Sequence, residues 1–321
     1  MLTVLLATRN RARILRDVLE TYCGLQPPGA GWKLVVVDNG STDDTSEVIA
    51  SFAGRLPLQS VVEPSVGKNC ALNTGLPFVE GDLIVFSDDD VFPRSDWLVQ
   101  LRKAADEHPA YTIFGGTILP RWEIPPPKWT QWIDQGPVYT ITDPLQEEGP
   151  VSPDKVFGPN MAVRMSVFRS GTRLNPTIGP RGSDYPMGSE TELVLRLGQQ
   201  GYRAWHVQDA IVEHFIRKEQ EEKPWVLQRA TRWGRGLQRL SHDGLFDDVK
   251  LWRGIPRHLL RDVPLEALFM ASAWLLLREK ALFLSRWRFN ILRGKALEAR
   301  VLAKDRATEA ASSPTIGQIK S

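Results

Sequence analysis

Apolar runs of five or six residues punctuate the first ninety positions, and each gives way to a polar turn and then to residues at helical spacing. Leu2 to Ala7 predicts a buried strand, and Ile14, Leu15, Val18, Leu19 and Tyr22 share one face of a helix over Arg13 to Tyr22. Pro27-Pro28-Gly29 breaks the chain before a second, β-branched run, Lys33 to Val37. A helix from Thr45 to Phe52, a strand from Leu58 to Val62, a helix from Asn69 to Leu76 and a strand from Asp82 to Ser87 complete the series. Strands alternating with helices predict an α/β fold, with a mostly parallel sheet flanked by helices on both faces.

The pattern then changes. Residues 120–155 are dense in proline and carry Trp122, Trp129 and Trp132, which predicts an irregular loop or lid. A helix over Thr191 to Gln200 and strands over Ala204 to Val207 and Ala210 to Val212 follow, and from Pro224 onward the spacing is mostly helical. The expected organisation is a core domain over 1–220, a basic, Trp-containing helical extension over 221–307, and a disordered tail over 308–321, where small and polar residues dominate.

With 42% hydrophobic and 24% charged residues, the 321-residue chain has the composition of an ordinary folded protein. Its net charge of +2 conceals an asymmetry: positions 1–214 carry 19 Lys/Arg against 26 Asp/Glu, and positions 215–321 carry 21 against 12. An acidic front suits a cation site, and a basic, Trp-bearing rear suits an anionic surface such as phospholipid. Cys23 and Cys70 are too few for a disulfide framework and lack metal-ligand spacing, so they are expected as buried small hydrophobes in a reducing cytosol. Met1-Leu2-Thr3 leads straight into a strand with none of the features of a signal peptide. The longest apolar run of the rear, Ala267 to Leu277, falls short of the roughly 20 residues that span a bilayer. A cytoplasmic protein is expected, with peripheral contact at the inner face of a membrane left open.

Three predicted strands end in polar residues: Thr8-Arg9-Asn10, Asp38-Asn39-Gly40 and Asp88-Asp89-Asp90. Open α/β sheets bind ligands beyond the carboxyl ends of their strands, so these ends converge on one candidate site. Three consecutive carboxylates behind an apolar strand repel one another unless a cation neutralises them, and a hard divalent ion bridging to phosphate does so. An acidic turn capping the next helix is the bland reading, and it leaves the buried strand behind the cluster unexplained. Asp38 suits a hydrogen bond to a ribose or base, whereas Ser41 and Asp43 are well explained as helix caps. Gly67-Lys68-Asn69 opens a helix and offers a phosphate or base contact, a weak signal by itself. Glu190 and Glu192, two apart at a helix start, cannot face the same way, so one faces the site as a base and the other bonds elsewhere. His214, at the end of a β-run, becomes a metal-ligand candidate because a carboxylate site already lies upstream.

Taken in order, these residues resemble glycosyltransferase family 2, inverting enzymes with a GT-A, Rossmann-like fold. Ala7-Thr8-Arg9-Asn10-Arg11 is similar to that family's opening strand and turn, and Val37 to Asp43 to its nucleotide segment. Ser87-Asp88-Asp89-Asp90 is similar to its DxD element and Gly188 to Leu193 to its catalytic segment, with Ser189-Glu190 where Glu-Asp is usual. The resemblance covers residues 2 to about 215. It implies a nucleotide-sugar half over about 1–117 and an acceptor half over about 118–220. It also implies a donor pocket of Thr8, Arg9, Asp38, Gly67, Lys68, Asp88, Asp89 and Asn160. Asp88, Asp90 and His214 would serve Mn²⁺ or Mg²⁺, with Asp89 pointing away from the other two acids, and Glu190 would be the general base. The implied partners are a nucleotide-sugar donor, a UDP-sugar first, and a glycan, glycolipid or small hydroxyl acceptor, in polysaccharide, glycolipid or other glycan biosynthesis; no nucleic acid is expected.

Three rival readings compete. A phosphotransferase of the haloacid dehalogenase class also sets D-x-D after a strand, but near the N-terminus and followed by a Gly-Thr-like pair. Here Val91-Phe92-Pro93 follows instead. A non-catalytic nucleotide-sugar or glycan-binding protein would not need Glu190 together with Asp88 and Asp90. A pyrophosphorylase would need a Gly-rich loop after the first strand. The rear helices, with Trp225, Trp233 and many arginines, fit either a membrane interface or packing on the core or on a second subunit of a homo-oligomer.

Overall fold

The computed structural model describes residues 1–182, 184–246, 251–252 and 255–312. It divides into two compact units, Met1–Val226 and Leu227–Ser321. The first unit opens with β1 (Leu2–Thr8), α1 (Ala12–Tyr22), β2 (Trp32–Asp38), α2 (Thr45–Ser51), β3 (Leu58–Val62), α3 (Lys68–Gly75) and β4 (Leu83–Asp88). It continues through β5 (Val91–Pro93), α4 (Trp97–Glu107), β6 (Ile113–Trp122), α5 (Gln135–Tyr139), β7 (Gly149–Val151), β8 (Met161–Arg164), α6 (Ser166–Arg169), α7 (Ser189–Gln199) and β9 (Ala204–Ile216).

The sheet order is β3-β2-β1-β4-β8-β6-β9-β5, with β7 paired to β9. Its front, β3-β2-β1-β4, is parallel as the alternation predicts. Beyond β4 the sheet is mixed: β8 runs antiparallel to β4 and β6, β9 lies parallel to β6, and β5 and β7 are antiparallel to β9. Successive strand residues feed opposite faces. Val4, Leu6, Leu34, Val36, Leu83 and Val85 pack with α1, α2 and α4, while Leu5, Val35, Val37, Ile84 and Phe86 pack with α3, α6 and α7.

Two local expectations are corrected. The segments 204–207 and 210–212 belong to one long strand, β9, whose register against β6 shifts between Gly116 and Thr117. Cys23 is exposed rather than buried, because α1 stops at Tyr22 and the thiol no longer lies on its inner face. Residues 120–155 hold only the end of β6, the short α5 and β7, and single 3₁₀ turns.

The second unit holds the part of α8 (Lys223–His242) from Leu227 on, together with β10 (Leu251–Trp252), β11 (Ile255–Pro256), α9 (Arg257–Leu275) and α10 (Glu279–Ser312). α8 and α10 meet backbone to backbone. A Cβ at Gly234 would stand 2.0 Å from the Ile291 carbonyl oxygen, and one at Gly294 2.0 Å from that of Thr231. Glu298, fully buried, accepts hydrogen bonds from Arg235 Nε (2.8 Å) and Arg239 Nε (2.7 Å). The tail expected to be disordered from 308 is helical through Ser312, since Ala and Glu favour helix there; residues 313–321 lie outside the described residues. Among the described residues no helix is long and apolar enough to cross a membrane.

Removing one member of a buried ion pair leaves the others uncompensated, at a cost of about 3–5 kcal/mol. Glu298→Ala is expected to lower the unfolding free energy of the second unit by that order, read by denaturant titration, with Glu298→Gln losing less because it keeps an acceptor.

Candidate active site

Strand register brings the polar ends to one level. Thr8 pairs with Asp38 across β1 and β2, and Ala7 pairs with Asp88 across β1 and β4. Asp38 is 5% exposed, and its Oδ1 accepts the Ser41 N–H at 2.9 Å, a turn that fixes the carboxyl at the strand end. Thr8 Oγ1 donates to Asp89 Oδ2 at 2.7 Å, so the middle acid of the triplet is held by the end of β1. Arg9 is exposed at the tip of the first turn.

The remaining acids are placed by α3, α7 and β9. Gly67, at φ +150, turns the chain into α3, and its N–H donates to Asn39 Oδ1 at 2.8 Å. Asn39 is buried and also donates to the Glu63 and Ser65 carbonyls, clamping this loop to the end of β2. Gly188, at φ +112, opens α7, and Ser189 Oγ donates to Asn69 Oδ1 at 2.7 Å, tying α7 to α3. The two glutamates of α7 diverge: Glu192 pairs with Arg196 at 2.7 Å, and Glu190 faces the cleft. Lys68 enters between the facing acids, its Nζ 2.5 Å from Asp88 Oδ1 and 2.6 Å from Glu190 Oε1.

The electrostatics follow from that contact. Burial alone would depress the Lys68 ammonium, but the two carboxylates overcome it and hold its pKa far above the ordinary lysine value. For Glu190 burial favours the proton, and Lys68 reverses this and holds the carboxyl below its usual range. Asp88 is raised by burial, which Lys68 opposes while Glu190 and Asp90 add to the rise. Burial and the Asp90 charge push Asp89 up to about 7 against the pull of Arg11 and Thr8.

At the far side, β5 pairs antiparallel with β9 and sets His214 opposite Val91, beside Asp90. His214 Nε2 lies 3.5 Å from Asp90 Oδ1, and Nδ1 lies 2.6 Å from the Tyr139 carbonyl oxygen. A carbonyl only accepts, so Nδ1 carries hydrogen and Nε2 faces the acid, the orientation a ligating histidine takes. Burial works against the imidazolium, yet Asp90 raises the His214 pKa, and His214 in turn holds Asp90 low against its own burial.

Among the described residues no three His, Cys, Asp or Glu side chains converge tightly enough to cage an ion by themselves. A Mg²⁺- or Mn²⁺-type ion held through one or two carboxylates, with substrate phosphates and water completing its shell, needs no such cage. Asp88, Asp90 and His214 fit that mode. Four carboxylates, Asp88, Asp89, Asp90 and Glu190, share this cleft with Lys68, Arg11 and His214.

Asn160 is corrected. Expected in the donor pocket, it is wholly buried, donates to the Thr117 and Ala210 carbonyls at 3.0 and 2.8 Å, and accepts from Trp97 Nε1 at 2.8 Å. Its amide is fully engaged in holding strands together. Arg11, 4.0 Å from Asp89, and the clamping Asn39, Asn69 and Ser189 lie inside the motifs the sequence singles out, which assign them no role of their own.

With this geometry, comparison with known proteins is informative. The mannosyltransferase PcManGT from Pyrobaculum calidifontis, solved in complex with GDP-Man and Mn²⁺, superposes with a TM-score of 0.60 at 20% identity, covering 94% of this chain and 86% of that one. S. aureus TarS 1–349 in complex with UDP-GlcNAc superposes at 0.53 and 14% identity, covering 94% and 91%. The fold is that of the GT-A glycosyltransferases. Residues 3–171 match the model of Glycosyl transferase family 2, more than half of the chain, and the chain belongs to that family. The probable glycosyltransferase YdaM of Bacillus subtilis is 24% identical over 258 residues, 74% of this chain and 55% of that protein. The beta-monoglucosyldiacylglycerol synthase of Nostoc sp. is 28% identical over 103 residues, 31% of this chain and 22% of that protein. The chain thus spans from about a fifth to just over half of the length of these curated relatives.

A Cβ at Gly158 would stand 2.5 Å from Glu190 Cγ and Cδ, so this glycine is the wall behind the acid. Gly158→Ala is expected to push Glu190 off Lys68. It should lower kcat at least tenfold while leaving nucleotide affinity within a factor of about three, measured by steady-state kinetics and calorimetry.

Proposed function

We propose that the protein is a metal-dependent, inverting glycosyltransferase moving a sugar from a nucleoside-diphosphate sugar, a UDP-sugar first, to a hydroxyl of a glycan, glycolipid or small acceptor. The carrying observation is Lys68, which joins the acid at the end of β4 to the acid at the start of α7. On this reading Asp88 is the diphosphate-side carboxylate and Glu190 the base, and the two lie on either side of one ammonium. The ligands of the two solved neighbours, GDP-Man with Mn²⁺ and UDP-GlcNAc, support the donor class.

In this reading Asp38 and Thr8 border the nucleoside, and Lys68 meets the diphosphate. Glu190, kept ionised by Lys68, takes the proton of the acceptor hydroxyl as its oxygen attacks the anomeric carbon from the side opposite the leaving nucleoside diphosphate. Configuration inverts, and no sugar becomes bonded to the protein. Asp88, Asp90 and His214 would hold the divalent ion, which when bound offsets the charge on the departing diphosphate.

A thermal-shift screen of nucleoside diphosphates and nucleotide-sugars, with and without Mn²⁺ or Mg²⁺, tests the reading, since a ligand stabilises by RT ln(1 + [L]/Kd). One nucleotide is expected to stand out with metal present, and Asp90→Ala to abolish the metal-dependent part; full retention in that variant overturns the assignment. Glu190→Gln is expected to keep the nucleotide shift and lose about 100-fold or more in transfer.

A further inference from the structure

α9 turns most of its large apolar side chains outward and buries an acid. Its buried positions are Leu259, Glu266 and Ala273, seven residues apart, and the acid among them accepts from Arg288 Nε of α10 at 3.0 Å. From Pro264 on its exposed positions are apolar apart from Ser272: Leu265, Leu268 and Phe269 face out with Leu275, and Trp274 and Leu277 follow at its end. Leu268 is 68% exposed, Phe269 59%, Trp274 63% and Leu277 90%. A helix facing water keeps charge outside and apolar groups inside, and a contiguous apolar ridge of this kind marks an interaction surface. Leu277 adds a second sign. It holds a left-handed φ of 49°, where glycine is the ordinary residue, so an exposed leucine is kept at the tip against backbone strain.

The surrounding charge selects the occupant. Residues 257–288 contain six Lys/Arg and three Asp/Glu. Two of the acids are taken up internally, Glu266 by Arg288 and Asp262 by Arg261. Arg257 stands at one end of the ridge, and Arg278, Lys280 and Arg286 at the other. A second copy of the chain laid on this ridge, parallel or antiparallel, would set one basic end against another. A surface that is apolar below and anionic at its boundary satisfies both features, and among the described residues no helix is long and apolar enough to cross it.

We propose that α9 and the turn after it lie in the plane of an anionic phospholipid surface. Leu268, Phe269, Trp274 and Leu277 enter the acyl boundary, and Arg257, Arg278, Lys280 and Arg286 sit at the phosphates. This goes beyond the transferase reading and does not depend on it.

The test is flotation of the full chain with vesicles of phosphatidylcholine alone or mixed with phosphatidylglycerol, at low and high salt. The protein is expected to float with the mixed vesicles, and less so at high salt. Leu268→Glu with Phe269→Glu should reduce the bound fraction at least tenfold, and Arg278→Glu with Lys280→Glu should remove the preference for anionic lipid. Leu277→Gly suits the left-handed backbone and cannot threaten folding, and it should lower binding several-fold. Three results overturn the proposal: no flotation of the unmodified protein, equal flotation of all variants, or a dimer that Leu268→Glu with Phe269→Glu dissociates while neither form floats. The nucleotide-dependent thermal shift, read on the same preparations, separates failure here from failure of the transferase assignment.

Discussion

Carboxylates packed into one cleft repel one another, and here a single buried ammonium makes the crowding tolerable. Lys68 touches Asp88 from the end of β4 and Glu190 from the start of α7, two residues a hundred positions apart in sequence. For both acids burial favours the proton, and Lys68 opposes it. With that cation, Glu190 stays ionised and the two halves of the cleft are held together by charge. On the proposed reading a donor phosphate entering the cleft would compete for the same ammonium, linking donor arrival to the freedom of Glu190 through one side chain.

The position of Lys68 depends on parts that do no chemistry. Asn39 fixes the Gly67 turn, Asn69 anchors to the carbonyls of Asn175 and Ile178, and Ser189 joins that asparagine to α7. These buried polar groups are satisfied by partners far away in sequence, which makes them costly to disturb and keeps two helix starts facing one another.

The front half of the fold was legible because parallel strands buried on both faces read as continuous apolar runs, and their ends stop at polar residues. The observed limits of β1 to β4 fall within a residue of the expected ones. β6 was not legible: Gly115, Gly116 and Pro120 look like turn residues, and only pairing with β8 and β9 makes them a strand. At the site, the divergence of Glu190 and Glu192 follows from helical geometry, but which one faces inward is decided by Lys68 and Arg196, which spacing alone does not reveal. Asn160 entered the donor pocket through the resemblance alone, and its buried partners Trp97, Thr117 and Ala210 lie tens of positions away, where spacing does not reveal them.

The irregularity in β9 has a further effect. Gly116 pairs with Val207 and Thr117 with Ile211, so Gln208, Asp209 and Ala210 are extra residues on that strand. Each of their carbonyls is capped by a side chain: Thr117 on Gln208, Arg94 on Asp209 and Asn160 on Ala210. The insert is therefore a self-contained spacer that works like a vernier. It advances β9 by three positions relative to β6, so that His214, not Ile211, stands level with Pro120. A lineage that lengthened or shortened this spacer would exchange the residue confronting Asp90 while leaving the turn between β4 and β5 untouched.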